Sequence, residues 1–546
     1  MKRKILAFLG AVLLLSGCAT EIDYSKVTVE TEETEDVVDN KEIEQETVII
    51  PELMSEDLYS PSKPVVAEEE YSEIYQPEFN TDAQSYTDGL SGFNGSGFIC
   101  LGNKAYATLE IKVPSSQHYN IGVRLCSAGT AVAIITGGEK EIDSPEGDYK
   151  TIDGTVQGAV YSEESTEFSY VYLNGIYLSK GENKLTLQAL SGTAYIDEVS
   201  VENAPTVTKL AYEISNSCVN KNANDTTKAI KKYLSDIYGN RVLTGQYCST
   251  GTTTEINAIY MDTGRYSALR CGDLGIFTEY YNGADKNNED ELQAAISWRK
   301  KGGLISYSWY WYAPVSDNPH YSSAITDFDL SDALCDSSIA VLSPTSLEAY
   351  QQTGRVSSEA VRLIADMDVI AEKLKLLEAQ DVTVLFRPLP EAGNGWYWWG
   401  KSSENYLWLY KFIFERFTDY HQLSNIIWVW DGESYDFYPG DDYVDIVGMD
   451  LYTRSDISGN SRMLDAISYT IKSKAVALTE CGRLPNPDYI VRDNAYWLWF
   501  ALWKGDYIIN SDGSISYERV TPEELDYAYN NELFITLDEL PDFSRY

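Results

Sequence analysis

From Thr206 onward the chain alternates short apolar runs with longer amphipathic stretches, and no other feature constrains its fold so strongly. Candidate strands begin near Arg241, Tyr266, Leu304, Val382, Asn425, Val444, Ala475 and Trp497. Helical patterns occupy several of the intervals: Glu289 to Lys301, Ser357 to Ala379, Ser403 to Tyr420 and Arg462 to Ser473. Strands that are apolar throughout are buried on both faces, which requires a parallel sheet wrapped in helices. Eight strand–helix units in roughly 300 residues predict an α/β fold of the (β/α)8 TIM-barrel type over residues 206–546. The chemistry of such a barrel comes from the carboxyl ends of its strands. Glu391 and Glu480 both stand at such ends, by this count the fourth and the seventh.

The segment LFRPLPEAGNGWYWWG, Leu385 to Gly400, sets Arg387 and Glu391 after an apolar run and then crowds aromatic rings into a loop. Charged groups beside a buried strand are costly unless they pair or serve a site. An Arg387–Glu391 ion pair closing the loop would account for both charges, but not for Trp396, Trp398 and Trp399. Large amphipathic rings on a loop suit the apolar faces of pyranose sugars, whose hydroxyls then hydrogen-bond at the rim. Two carboxyls on one barrel mouth can divide glycoside cleavage, one protonating the leaving oxygen while the other attacks the anomeric carbon.

The motif resembles the acid/base segment of glycoside hydrolase family 26. The resemblance continues, in the family's order, through LTGQY (Leu243 to Tyr247), GGLISYSWYW (Gly302 to Trp311), NIIWVWD (Asn425 to Asp431), YPGDDYVDIVGMDLY (Tyr438 to Tyr452) and ALTECG (Ala477 to Gly482). It implies Glu391 as acid/base and Glu480 as nucleophile, acting with retention, for which the carboxyls lie about 5 to 5.5 Å apart. Glu391 then needs a raised pKa, which an apolar wall from Trp396 to Trp399 would supply by desolvation. The resemblance further places Tyr452 against the nucleophile, Arg387 on the nucleophile side and Trp503 under the reacting sugar. Tyr310, Trp311, Trp396 and Trp399 complete the expected sugar contacts. Two positions depart from the family pattern: Pro390 stands where His usually precedes the acid/base, and Tyr310 stands in the middle of the usual Trp-His-Trp. Proline has no side-chain donor, and a Tyr hydroxyl donates from a different reach than an imidazole.

The resemblance thus implies an endo-β-1,4-mannanase acting on mannan, glucomannan or galactomannan. A family member acting on β-1,3-xylan or mixed-linkage β-glucan is the enzyme alternative, and a catalytically silent glycan-capture protein is the alternative from another class. No cofactor is expected for catalysis.

The N-terminus reads as export machinery. Lys2, Arg3 and Lys4 precede the apolar stretch Ile5 to Leu15, and Leu15-Ser16-Gly17-Cys18 resembles a bacterial lipobox. Residues 1–18 are therefore expected to be a lipoprotein signal with Cys18 as the lipidated residue, anchoring the protein at the bacterial cell surface. Residues 19–72 are acidic, with Pro51, Pro61 and Pro64, and lack a sustained period, as befits a tether. A formal charge of −42, without a basic cluster beyond the signal, makes nucleic acid and anionic lipid poor partners and leaves a neutral polysaccharide unrepelled. A monomer is expected.

Residues 73–205 lack helical periodicity and read as a β-sandwich, since short alternating strands are separated by Gly, Ser and Asn turns. GFNGSGFI (Gly92 to Ile99), LSKGENKLTL (Leu178 to Leu187) and TAYIDEVSVE (Thr193 to Glu202) are similar to segments of carbohydrate-binding module family 35. That similarity implies a structural calcium, with Glu78 and Asp197 as the oxygen ligands to test. Of eight cysteines, seven lie beyond Cys18 without metal-ligand spacing, and Cys100 with Cys126 is the candidate disulfide in this module.

Overall fold

The computed structural model describes residues 71–81, 83–142, 149–281, 288–315, 317–452 and 458–546. The expected signal, the lipidation site Cys18 and nearly all of the tether lie outside the described residues.

The first folded part is antiparallel. Its strands are β1 (Ser72–Tyr75), β2 (Ser85–Tyr86), β3 (Phe98–Leu101), β4 (Tyr106–Val113), β5 (Gln117–Ile142), β6 (Tyr149–Glu164), β7 (Ser169–Leu178), β8 (Gly181–Ala189) and β9 (Ala194–Asn203). Strand β4 shows why: Ala107, Leu109, Ile111 and Val113 are buried while Glu110 and Lys112 between them are exposed, the period of two that a half-buried strand needs. The 26-residue β5 serves two neighbourhoods. Its first part pairs with β7 and β9, and its later part with β8 and β6. Cys100 and Cys126 both take Tyr195 of β9 as register partner, from opposite sides. They are thus two strand spacings apart, about 9.5 Å, beyond the reach of a disulfide. Both are free thiols, so the candidate pairing is corrected.

The second part is the closed barrel. Its strands are β10 (Val242–Tyr247), β11 (Leu269–Asp273), β12 (Leu304–Trp309), β13 (Val384–Pro388), β14 (Ile426–Trp430), β15 (Ile446–Leu451), β16 (Ala475–Cys481) and β17 (Trp499–Leu502). They pair in parallel in chain order, and β17 returns to β10 to close the ring. A short β18 (Phe534–Ile535) pairs in parallel with the start of β10, at Val242 and Leu243. The expected strand starts agree closely, the largest offset being Tyr266 against Leu269. Residues of β13 through β17 are buried along their whole length, which is why their sequence reads as apolar runs rather than alternation. The antiparallel part meets the barrel through His118, 3.4 Å from Asp493, and through Tyr177, whose ring lies 3.8 Å under the Arg492 guanidinium.

Candidate active site

Glu391 lies three residues beyond the end of β13, within the turn that leaves the barrel. Leu389 and Glu391 both take left-handed backbone, with φ of 55° and 53°, on either side of Pro390. Such conformations are uncommon for non-glycine residues and persist where surrounding structure holds them. Here the Glu391 amide donates to the carbonyl of Asp431 at 2.6 Å, and the Gly393 amide to the carbonyl of Gly432 at 2.8 Å. The acid/base candidate is thereby fixed to the end of β14. The residue is 6 % exposed, and its carboxyl accepts from the Tyr397 hydroxyl at 3.0 Å. Burial first, and the charge of Glu480 second, push its pKa up to about 8, so it carries a proton at neutral pH.

Glu480 lies within β16 and is gripped at both oxygens. Tyr310 donates to Oε1 at 2.6 Å and Tyr452 to Oε2 at 2.7 Å, while Arg387 pairs with Oε1 as well. Arg387, from β13, also pairs with Asp431 and, at 3.0 Å, with both oxygens of Asp450. Ser308 and Tyr247 accept its remaining N–H groups at 3.1 Å. One buried guanidinium therefore organises three carboxylates from three strands, using the fork that lysine lacks. Burial pushes Asp431 up to about 6 and Asp450 well above the usual carboxylate range. Glu433 also stands close to Glu391. It accepts from Asp450 N, Arg462 and Asn394, at 3.0, 2.8 and 2.9 Å. Carboxylate oxygens of Glu391, Glu433 and Asp450 lie within 4.8 Å of one another.

The structure thus brings together Glu391, Glu480, Arg387, Tyr310 and Tyr452. Trp503 is half-buried with its ring 4.7 Å from that of Tyr247 and 6.5 Å from that of Tyr310, at the floor of the same mouth. Trp396 stands on the rim, 58 % exposed. Two expected sugar contacts are corrected. Trp311 is wholly buried, stacked 4.1 Å from Trp309 with its N–H on Asp366 at 2.6 Å. Trp399 is equally buried and donates to the Pro390 carbonyl at 3.0 Å. Neither presents a face to a ligand, because an indole pointing behind the strand ends completes the packing there. Trp399 instead backs Tyr397, stacked at 4.6 Å, so Tyr397 supplies the ring beside Glu391. The sequence reading missed Tyr397, Asp431, Glu433 and Asp450. The available signal was a charged residue closing an apolar strand, as Asp431 does in NIIWVWD and Asp450 does in VGMDLY.

The two candidate calcium ligands have protein partners of their own. Asp197 is paired with Arg124 and accepts the Asn94 amide at 2.9 Å, while Glu78 accepts from the Ser96 amide at 3.2 Å. The Arg124 guanidinium offsets the charge of Asp197, while Glu78 Oε2 is buried without a hydrogen-bond partner.

Paired carboxyls at the mouth of a (β/α)8 barrel, one held protonated and one clamped by donors, define a glycoside hydrolase. The model of glycosyl hydrolase family 26 matches residues 219–516, and the chain belongs to that family. Among curated proteins it is 28 % identical over 465 residues to a mannan endo-1,4-β-mannosidase of Thermothelomyces thermophilus, covering 82 % of this chain and 86 % of the relative. A mannan endo-1,4-β-mannosidase of Bacillus subtilis is 33 % identical over 294 residues, which is 49 % of this chain and 73 % of that one. Among solved structures, the Podospora anserina GH26-CBM35 β-(1,4)-mannanase superposes with a TM-score of 0.55 at 27 % identity, covering 86 % of this chain and 99 % of its own.

Proposed function

We propose that the protein is an endo-β-1,4-mannanase that cuts mannan, glucomannan or galactomannan with retention of configuration. The observation that carries this reading is the division of labour between Glu391, kept protonated by burial, and Glu480, held at both oxygens by Tyr310, Tyr452 and Arg387. Protonated Glu391 donates to the leaving glycosidic oxygen while Glu480 attacks the anomeric carbon and forms a glycosyl ester. Ionised Glu391 then takes a proton from water, which attacks the same carbon and frees Glu480. The chemistry needs no cofactor. Substrate choice is supported by the curated relatives named for mannan and by coverage of most of their length. On its sequence motifs alone, the antiparallel part is assigned to a sandwich-type carbohydrate-binding module and Cys18 to the lipid anchor of a monomer at the cell surface.

The test is reducing-end release from glucomannan, galactomannan, β-1,3-xylan and mixed-linkage β-glucan, with Glu391→Ala and Glu480→Ala as controls. Short manno-oligosaccharides whose release both substitutions abolish are the expected result. Tyr310 spends its hydroxyl on Glu480 and Pro390 has none, so activity confined to xylan or glucan would show that these two positions have redirected specificity. Capture of polymer without turnover would overturn the enzyme reading.

A further inference from the structure

Two arginines near the reaction centre each keep a buried Nε without a hydrogen-bond partner among the described residues. Arg483 follows Glu480 by three residues, and Arg519 belongs to the long segment after β17. Both Nε atoms are buried without a hydrogen-bond partner, and neither guanidinium pairs with a carboxylate among the described residues. In a chain with 84 Asp and Glu against 42 Lys and Arg, an arginine without an acidic partner is the exception. A buried unpaired N–H is costly, so two in one place call for a ligand.

The two side chains line one cavity of about 60 Å³, together with Val520, Glu524 and Tyr527. Its position relative to the active site follows from the rings between them. A Cβ on Gly482 would stand 2.8 Å from the Tyr452 ring and 3.2 Å from that of Tyr507, so only glycine lets the chain pass from Glu480 to Arg483 beneath them. Tyr452, which holds Glu480, meets Tyr507 edge-on at 5.5 Å, and the Arg519 guanidinium lies 4.3 Å over that same Tyr507 ring. The cavity is therefore two rings, Tyr452 and Tyr507, beyond the nucleophile.

Its charge selects the ligand. Glu524 is engaged by the Thr521 amide at 2.8 Å, and the Tyr527 hydroxyl donates to Asp488 at 2.8 Å. Two guanidiniums against the Glu524 carboxylate leave one net positive charge on the lining. That balance suits a monoanion bound by planar forks, the geometry arginine offers a carboxylate, and disfavours a phosphate dianion. We propose that Arg483 and Arg519 form a subsite for the carboxylate of an acidic sugar, a hexuronate borne by the glycan in the barrel mouth. This rests on the glycoside hydrolase reading of that mouth, and binding tests it apart from turnover.

Ligand-observed NMR titration of the full chain with methyl β-D-glucuronoside, against methyl β-D-glucoside, gives the readout, with inorganic phosphate as competitor. The glucuronoside is expected to bind at least about tenfold more tightly than the glucoside, and Arg483→Gln and Arg519→Gln are each expected to weaken it about tenfold. Thermal unfolding of each variant checks that it is folded, and Arg483→Lys, which keeps the charge and loses the fork, is expected to fall between. Equal affinity for the two glycosides, or Gln variants that bind the glucuronoside unchanged, would overturn the proposal. Displacement by phosphate would overturn it in favour of a free-phosphate site. Glu480→Ala should still bind the glucuronoside, and an unsubstituted protein that binds it while releasing no reducing ends from any polymer would sink the hydrolase reading alone.

Discussion

Glu433→Gln tests the electrostatics of the site most directly, because it removes one charge near Glu391 while keeping shape and an acceptor oxygen. The two carboxylates approach within 4.8 Å. At that separation, with an effective dielectric of about 20, like charges repel by about 3.5 kcal/mol. Arg462 at 2.8 Å from Glu433 offsets much of this, and the influence of Glu433 on Glu391 ranks behind burial, Glu480, Asp431 and Arg387. About 1.4 kcal/mol is left, equivalent to about one pH unit. The sign is fixed: Glu391 has a pKa raised to about 8, and removing a neighbouring negative charge lowers it. Because Glu391 must be protonated to act as the acid, the alkaline limb of kcat/KM, expected near pH 8 in the natural protein, should move down by about one unit. The unpaired Arg462 pushes the same way. Initial rates of reducing-end release from glucomannan between pH 5 and pH 10 measure the limb. A limb that stays put, or moves to higher pH, would refute the reasoning.

Tyr310→Phe removes a 2.6 Å charge-assisted hydrogen bond to Glu480 and is expected to lower kcat/KM by about tenfold or more, with most of the loss in kcat; a loss confined to KM would assign Tyr310 to substrate alone. Arg387→Gln leaves Asp431, Asp450 and Glu480 without their common cation in a buried site, a change expected to cost about 3 to 5 kcal/mol, read by denaturant unfolding. Trp396→Ala, at an exposed ring, should raise KM on polymer with thermal stability unchanged, whereas Trp399→Ala, at a buried ring, should destabilise the fold by about 3 to 5 kcal/mol. Thermal unfolding of the two variants side by side separates a sugar platform from core packing.

Much of this architecture is legible in the chain. Strands such as Ile426–Trp430 are buried on every face, so their composition is apolar without alternation, and this alone points to a helix-wrapped parallel sheet. The positions of Glu391 and Glu480 follow from counting those strands, since the carboxyl end of a barrel strand is defined by where its apolar run stops. Arg387 was legible for the same reason, as a charge embedded in such a run.

The roles of the aromatic residues were not legible. Trp396, Tyr397, Trp398 and Trp399 are adjacent in a loop without a period, so nothing in their order says which ring faces the cleft. The left-handed turn about Pro390 and the packing of Trp398 against Trp311 decide it, leaving Tyr397 on Glu391 and two tryptophans behind. The partner of Asp197 was equally illegible, because Arg124 reaches it from another strand. What the sequence by itself determined is the barrel and the two strand ends that carry Glu391 and Glu480, because burial on both faces is written into local composition. What only the tertiary structure decided is their chemistry: the proton on Glu391, the grip of Tyr310 on Glu480 and the charges around them depend on distances between strands far apart in the chain, and electrostatic energy is set by distance and burial.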